Sequence, residues 1–310
     1  MSARFHHLPL TLRQLQYVVA VAEVGTFRGA ANVCGVSQPA LSTQVAEVEA
    51  QLGVQLFERS SRGVRLTSAG DAVVPRARAA LAAAEDVVLA ARAHEDPLTG
   101  ALSIGVIPTI APYLLPDLDP ALRAAWPDLD LTWVEAQTAV LVERIRGGDL
   151  DGALLAVEAD LGGLNVAEVS VDPFVLAAPE NHPLAAEVGP VGTDALATGP
   201  VLLLEDGHCF RDQALDVCAR AGVDAEDLRA TSLTTLVQMA AGRGAVTLLP
   251  AMAVEVENRR AAMVVRPFVE PAPHRTVAFA WRPGSPLSDA FERLAASARG
   301  CIEGRGGSAP

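Results

Sequence analysis

Lysine is absent from this chain of 310 residues, and all 24 of its Lys/Arg positions are arginine. That absence tracks genomic base composition rather than function. Other absences exclude more. No apolar run approaches the ~18 residues of a membrane span. The opening Met1-Ser2-Ala3-Arg4-Phe5-His6-His7 lacks the apolar core of a signal peptide, so a cytoplasmic protein with no membrane partner is expected. In that compartment the four cysteines should be reduced, and any disulfide should be transient or redox-sensing. They form neither Cys-x-x-Cys nor Cys/His clusters, so no metal is expected, and no cofactor either.

What is present is unevenly charged. The net charge of −13 argues against nucleic acid for the chain as a whole. Residues 1–70, however, carry six Arg (Arg4, Arg13, Arg28, Arg59, Arg62, Arg65) against four Glu (Glu23, Glu47, Glu49, Glu58), net +2. The remainder carries −15. A basic head on an acidic body confines double-stranded DNA contact to the head.

The head reads as a winged helix-turn-helix. Thr11-Leu12-Arg13-Gln14 is a capping box. Leu12, Leu15, Val19 and Ala22 then mark one helical face, closed by Gly25. Thr26 caps a second helix to Cys34, with Cys34 on its buried side, and Gly35 ends it. Ser37 caps a third helix, with Pro39 in its first turn, where proline is tolerated. Leu41, Val45, Val48 and Leu52 form the buried face. Gln38, Ser42, Thr43 and Glu49 point outward, with Gln38, Pro39, Ser42 and Thr43 placed to meet base edges. Leu56–Thr67 reads as a hairpin wing, in which Arg59 and Arg62 suit phosphate or minor-groove contact. Ser68 caps a long helix to about His94. Val74, Ala77, Leu81, Ala84, Val88 and Ala91 repeat at spacings of 3 and 4, a seam for homodimerisation. Pro75 predicts a kink or a late start.

Past a hinge at 95–100, strands alternate with helices, as in parallel α/β lobes. The expected organisation is a winged helix-turn-helix at 1–67, a dimerising linker helix at 68–94, and the hinge. Regulatory lobe I follows at 101–171 and 276–303, lobe II at 172–275, and a disordered tail at 304–310. Within lobe II, Cys209 and Cys218 stand nine positions apart. One helix spanning both separates them by roughly 13 Å along its axis. A disulfide needs Cα atoms ~4.4–6.8 Å apart, so a bond between them requires the segment to refold. Phe210, Ala214, Val217, Cys218 and Ala221 share one helical face, which places Cys218 in the core.

Dense stretches of the head resemble the LysR-type transcriptional regulators: Leu12-Arg13-Gln14-Leu15, Thr26-Phe27-Arg28-Gly29-Ala30-Ala31, Val36-Ser37-Gln38-Pro39-Ala40-Leu41-Ser42, Leu56-Phe57-Glu58-Arg59 and Leu66-Thr67-Ser68-Ala69-Gly70. The C-terminal half resembles the hydrogen-peroxide-sensing branch of that family. It does so through Leu204-Glu205-Asp206-Gly207-His208-Cys209-Phe210-Arg211-Asp212-Gln213-Ala214 with Cys218, Arg229–Leu233, Thr247–Ala251 and Arg282–Pro286. The resemblance implies two Rossmann-like lobes of the periplasmic-binding-protein kind. It also implies a peroxidatic Cys209, a resolving Cys218, and a peroxide pocket of Thr109, Thr138, His208, Asp212 and Arg275. The partners it implies are promoter DNA, hydrogen peroxide, a homotetramer built from dimers, RNA polymerase, and a thiol reductant that resets the switch.

The chemistry asks for a thiolate at Cys209. A helix start after Gly207 favours one; Glu205, Asp206 and Asp212 oppose it, and Arg275 is the candidate offsetting cation. Thr109 and Thr138 suit a small peroxide, and Asp212 suits proton transfer to the leaving oxygen. His208 either orients the loop through a hydrogen bond or is structural. Ser232, at a helix start, is a candidate anion site, and Cys301, near a Gly-rich tail, has no assigned role. Two other readings compete: a regulator sensing a small organic anion between the lobes, and a thiol peroxidase enzyme. The DNA-binding head argues against the latter.

Overall fold

A computed structural model describes residues 9–60, 63–92, 96–186 and 188–306. It divides into two compact units, the first running to Arg92 and the second holding nearly all of the rest.

In the first unit, α1 (Leu12–Val24) starts with the full capping box. Gln14 N–H donates to Thr11 Oγ1 at 3.2 Å, and Thr11 N–H donates to Gln14 Oε1 at 3.0 Å. Then come α2 (Phe27–Val33), capped by Thr26, and α3 (Gln38–Leu52), capped by Ser37. The antiparallel wing is β1 (Phe57–Ser60) with β2 (Gly63–Leu66), followed by α4 (Ser68–Arg92). Val18, Val21, Ala30, Leu41, Val45 and Val48 form the core, with Phe27 and Phe57 meeting edge to face at 6.1 Å.

Four readings of the head need correction. The buried face of α1 is Gln14, Tyr17, Val18, Ala20 and Val21, while Leu12 is half exposed and Leu15, Val19 and Ala22 are only partly buried. Apolar residues wrap most of this helix, so periodicity could not select the side that α2, α3 and α4 cover. The cap of α4 is Thr67, whose Oγ1 accepts from Gly70 N–H at 3.0 Å, not Ser68. Pro75 lies inside α4 without delaying its start. Cys34 caps the C-terminal end of α2 half-buried, at the margin of the core.

The second unit opens with β3 (Gly100–Val106), α5 (Ala111–Ala125), β4 (Leu129–Glu135), α6 (Thr138–Gly147) and β5 (Gly152–Ala156). A 15-residue strand, β6 (Asn165–Pro179), crosses to the second lobe. There follow β7 (Val201–Leu204), α7 (Cys209–Ala221), β8 (Ala225–Ala230), α8 (Leu233–Arg243), β9 (Val246–Pro250), α9 (Ala251–Ala261) and β10 (Met263–Pro267). The chain returns through β11 (His274–Trp281) and ends in α10 (Ser288–Gly306).

The sheet order is β4-β3-β5-β11-β6-β9-β7-β8, with β10 against β6. The sheet is mixed, not the parallel one expected. β3, β4 and β5 run parallel, as do β7, β8 and β9, but β11 and β6 are antiparallel to all their neighbours. These two strands carry the chain between the lobes in opposite directions. β6 pairs with β11 up to Pro173, then with β9 from Phe174 and with β10 from Val175. The lobes therefore share a continuous backbone at residues 172–174.

Cys301 lies half-buried on α10. That helix continues to Gly306, and the last four residues of the expected tail lie outside the described residues. Among the described residues no helix is long and apolar enough to cross a membrane.

Gly70 is buried where α4 leaves the wing, and a Cβ there would run into the Leu56 carbonyl oxygen and meet Leu66 Cδ2 at 2.9 Å. Overpacking of this kind costs ~1–3 kcal/mol. Gly70→Ala should lower the stability of the head by about that amount, read as a lower denaturant midpoint.

Candidate peroxide site

Cys209 is the first residue of α7, preceded by His208 as the N-cap without a side-chain capping bond. Its neighbour Gly207 has φ 95°, a conformation that L side chains avoid, and a Cβ there would lie 2.7–2.9 Å from the Gln137 side-chain amide. Glycine thus lets the β7–α7 loop close on the segment that starts α6. The result is a narrow crevice with about 170 Å³ of empty space, lined by Ile107, Pro108, Thr109, Gln137, Thr138, Gly207, His208 and Cys209. Nowhere in it is there room to seat a water-sized molecule. The N-termini of α6 and α7 both border it, and their N–H groups and dipoles favour negative charge there.

Behind this crevice stands a buried charge network. Arg275 is fully buried and Asp172 nearly so. Arg275 Nε and Nη2 both donate to Asp172 Oδ2 at 2.9 Å. Nη1 donates to Thr109 Oγ1 at 2.8 Å, and Nη2 to the Thr109 carbonyl at 2.8 Å. The guanidinium also sits over the Phe210 ring, 5.9 Å from its centroid, and Phe210 packs edge to face on Phe174 at 5.1 Å. Arg275 therefore reaches the crevice through Thr109 and does not line it.

Burial pushes the Cys209 thiol pKa up. Thr138, Arg275 and the Phe210 N–H oppose that shift, while Asp212 adds to it. Of the favouring and opposing groups, desolvation weighs most, ahead of the cation and the helix start, so the resting thiol is held toward its neutral form. Thr138 Oγ1 lies beside the sulfur and favours its charge, yet it is a buried hydroxyl with no hydrogen bond of good geometry.

Thr109, Thr138, His208 and Cys209 come together in the crevice, and two expected pocket residues stand apart from it. Asp212 is exposed on a second, open cleft of about 830 Å³ that reaches Cys209 from outside and also holds Glu158, Asp160 and Asp216. Arg275 is one residue removed. The His208 ring makes no hydrogen bond among the described residues; its carbonyl accepts from Arg211 N–H at 2.8 Å. The loop is pinned instead by Arg211, which donates to the Leu204 carbonyl at 2.6 Å and pairs with Asp206 at 2.9 Å. Ser232 caps α8 by accepting from Thr235 N–H at 3.2 Å.

One helix spans both cysteines of lobe II, and Cys218 is buried in that lobe's core with Phe210, Ala214 and Val217. Both cysteines are free thiols. On the head, Gln38, Pro39 and Thr43 are exposed and Ser42 is partly so. Glu49 turns inward, accepting from Leu56 N–H at 2.7 Å and Phe57 N–H at 3.2 Å, which makes it a structural tie between α3 and the wing. The Arg59 side chain and all of Arg62 lie outside the described residues.

Asp172 and Gln137 were missed. Register explains the first. β6 buries Ala167 and Val169, then a bulge at Val169 against β11 flips the parity, so that Asp172 turns inward. Nothing in simple alternation marks that position.

A winged helix-turn-helix followed by a two-lobed sensor defines a transcription regulator, and family comparison agrees. The bacterial regulatory helix-turn-helix protein model of the lysR family matches residues 12–71, and the LysR substrate binding domain model matches residues 95–300. The chain belongs to the LysR family. The DNA-binding transcriptional dual regulator OxyR of Escherichia coli (strain K12) is 42% identical over 297 residues, 95% of this chain and 97% of that protein. Among solved structures, a full-length cysteine-to-aspartate variant of OxyR from Pseudomonas aeruginosa is similar at TM-score 0.76 and 36% identity, covering 93% of this chain and 97% of that one. A cysteine-to-serine variant of Corynebacterium glutamicum OxyR with hydrogen peroxide bound is similar at TM-score 0.64 and 34% identity, covering 96% of each chain.

Two outcomes follow from the geometry. Without peroxide, the pH midpoint of Cys209 alkylation, resolved by peptide mass, should lie above that of the same cysteine in the unfolded chain. Cys218→Ser buries a hydroxyl in an apolar core and should cost ~1–3 kcal/mol in chemical denaturation. Cys218→Ala, which leaves no polar atom, should cost less.

Proposed function

We propose that this chain is a DNA-binding transcription regulator that senses hydrogen peroxide at Cys209 and signals through a reversible Cys209–Cys218 disulfide. The carrying observation is the crevice. A thiol sits between two helix N-termini, beside two threonine hydroxyls, in a space too small for an organic anion. Peroxide is only slightly larger than water, so a small displacement of the walls admits it.

The Cys209 thiolate attacks one peroxide oxygen. An S–O bond forms, the O–O bond breaks, and sulfur supplies two electrons. The leaving oxygen takes a proton and departs as water, leaving a sulfenic acid. Asp212, on the open cleft, exchanges protons with solvent beside the sulfur rather than inside the crevice. The Cys218 thiol then attacks the sulfenic sulfur, forming S–S and releasing a second water. Because one helix holds the two sulfurs apart, α7 must unwind and bring Cys218 out of the core. A short disulfide loop fixes ~3 kcal/mol of chain entropy, which biases a two-state segment.

The new shape of lobe II changes how copies of the chain pack, and with it the spacing of the DNA heads. Each head reads promoter DNA with Gln38, Pro39, Ser42 and Thr43 in the major groove and Arg59 and Arg62 on the backbone. Copies pair along α4, where Val88 of the expected seam is exposed while Val74 and Ala77 are already buried, and pairs assemble into a homotetramer. RNA polymerase reads the change, and a cytoplasmic thiol reductant reverses it. The chain acts as a regulator, not as a turnover peroxidase.

One equivalent of peroxide should yield a Cys209–Cys218 linked peptide in non-reducing mass mapping, at the same dose that shifts the DNA footprint. Cys209→Ser should keep the reduced footprint and lose the shift. A shifted footprint without the linked peptide would sink the two-cysteine mechanism.

A further inference from the structure

We propose that Asp172 is the positioning residue of the peroxide pocket: it locks Arg275 so that the guanidinium donates to Thr109 and turns the Thr109 hydroxyl proton toward the peroxide. The inference rests on the reading of Cys209 as the peroxide-reactive thiol.

A threonine hydroxyl has one proton to give. Thr109 Oγ1 already accepts from Arg275 Nη1 at 2.8 Å, and its own proton has no acceptor among the described residues. Thr109 lines the crevice in which Cys209 lies, so we infer that its hydroxyl proton is free to be given there. The leaving oxygen gains negative charge as the O–O bond breaks, and a fixed donor stabilises that charge more than it stabilises the bound peroxide. That donation depends on the orientation of the guanidinium, which Asp172 sets. The two residues are cross-strand partners in the β6–β11 ladder, and Asp172 Oδ2 takes both Nε and Nη2. Asp172 Oδ1 is itself held by Met252 N–H at 3.1 Å, at the start of α9. Carboxylate, guanidinium and hydroxyl thus form one rigid relay into the pocket.

The charged groups around the sulfur are Arg275 from β11, Asp212 and Asp216 from α7, and Glu158 and Asp160 across the open cleft. Removing the Asp172 charge changes none of these, and leaves the charge of Arg275 less neutralised. An alkylating agent entering by the open cleft needs no donor from Thr109. Loss of positioning therefore slows peroxide and spares alkylation.

The test measures both reactions of Cys209 at one pH, by peptide mass, in the full chain carrying Asp172→Asn, Thr109→Val or both. Each single variant should slow reaction with hydrogen peroxide about tenfold or more, an amount set by one lost transition-state hydrogen bond. Alkylation by iodoacetamide should not be slowed. The double variant should lose no more than the slower single one, because both act through the same hydroxyl. Asp172→Glu keeps the carboxylate and should recover part of the peroxide rate; if Asp172→Asn does not fold, Asp172→Glu carries the comparison with the same selective loss. A peroxide rate within twofold of wild type, equal slowing of both reactions, or losses that multiply would each overturn the proposal. Wild-type Cys209 that alkylates but ignores peroxide would instead overturn the underlying reading.

Discussion

A guanidinium with no exposure to solvent sits at the point where two lobes share their backbone, and the site is built around it. Leaving such a charge without partners costs several kcal/mol. Arg275 meets that cost with Asp172 and with both oxygens of Thr109. Asp172 comes from β6, Arg275 from β11 and Thr109 from the loop after β3, so one ion pair fixes the approach of three segments. It also supports the Phe210 ring, the first apolar residue of α7. The redox helix therefore rests directly on the charge network of the lobe junction.

That arrangement separates two demands on Cys209. The thiol must be guarded when idle and reactive toward one small molecule. Burial meets the first by raising its pKa, and the narrowness of the crevice leaves no room for bulky reactants there. Under the proposed function the second falls to groups that border the crevice: two helix N-termini and the hydroxyl-bearing Thr138 and Thr109. On the open side, the acidic residues Glu158, Asp160, Asp212 and Asp216 face solvent and disfavour anionic reactants.

α7 is built to be both stable and disposable. Its apolar face, with Cys218 on it, packs into the lobe core. Yet its start is held by a glycine in a left-handed conformation and by an exposed Asp206 paired with Arg211, contacts of modest strength. The long β6 and β11, in contrast, form the most extensive ladder of the sheet, running from Asn165 to Pro173 against His274 to Trp281. The element that must rearrange thus lies on a frame that need not.

Much of this was legible in one dimension. Thr11, Thr26, Ser37 and Gly25 bracket the head helices because caps are local chemistry, requiring a hydroxyl or a missing Cβ at one position. Cys218 was placed in the core by the 3.6-residue period of α7, and the nine-residue spacing already required that α7 refold. The covered face of α1, the mixed direction of the sheet, the inward turn of Asp172 and the exile of Asp212 to an open cleft were not legible. Each is decided by which distant segment packs alongside: a helix that is apolar nearly all round has no preferred side until neighbours choose one, and a one-residue bulge reverses every later side chain of a strand. The chain by itself determined where the first three head helices begin and that one helix carries both Cys209 and Cys218. Only the tertiary structure decided the environment of Cys209, because its desolvation and the two groups that most oppose it, Thr138 and Arg275, come from segments far away in the chain that the lobe junction brings together.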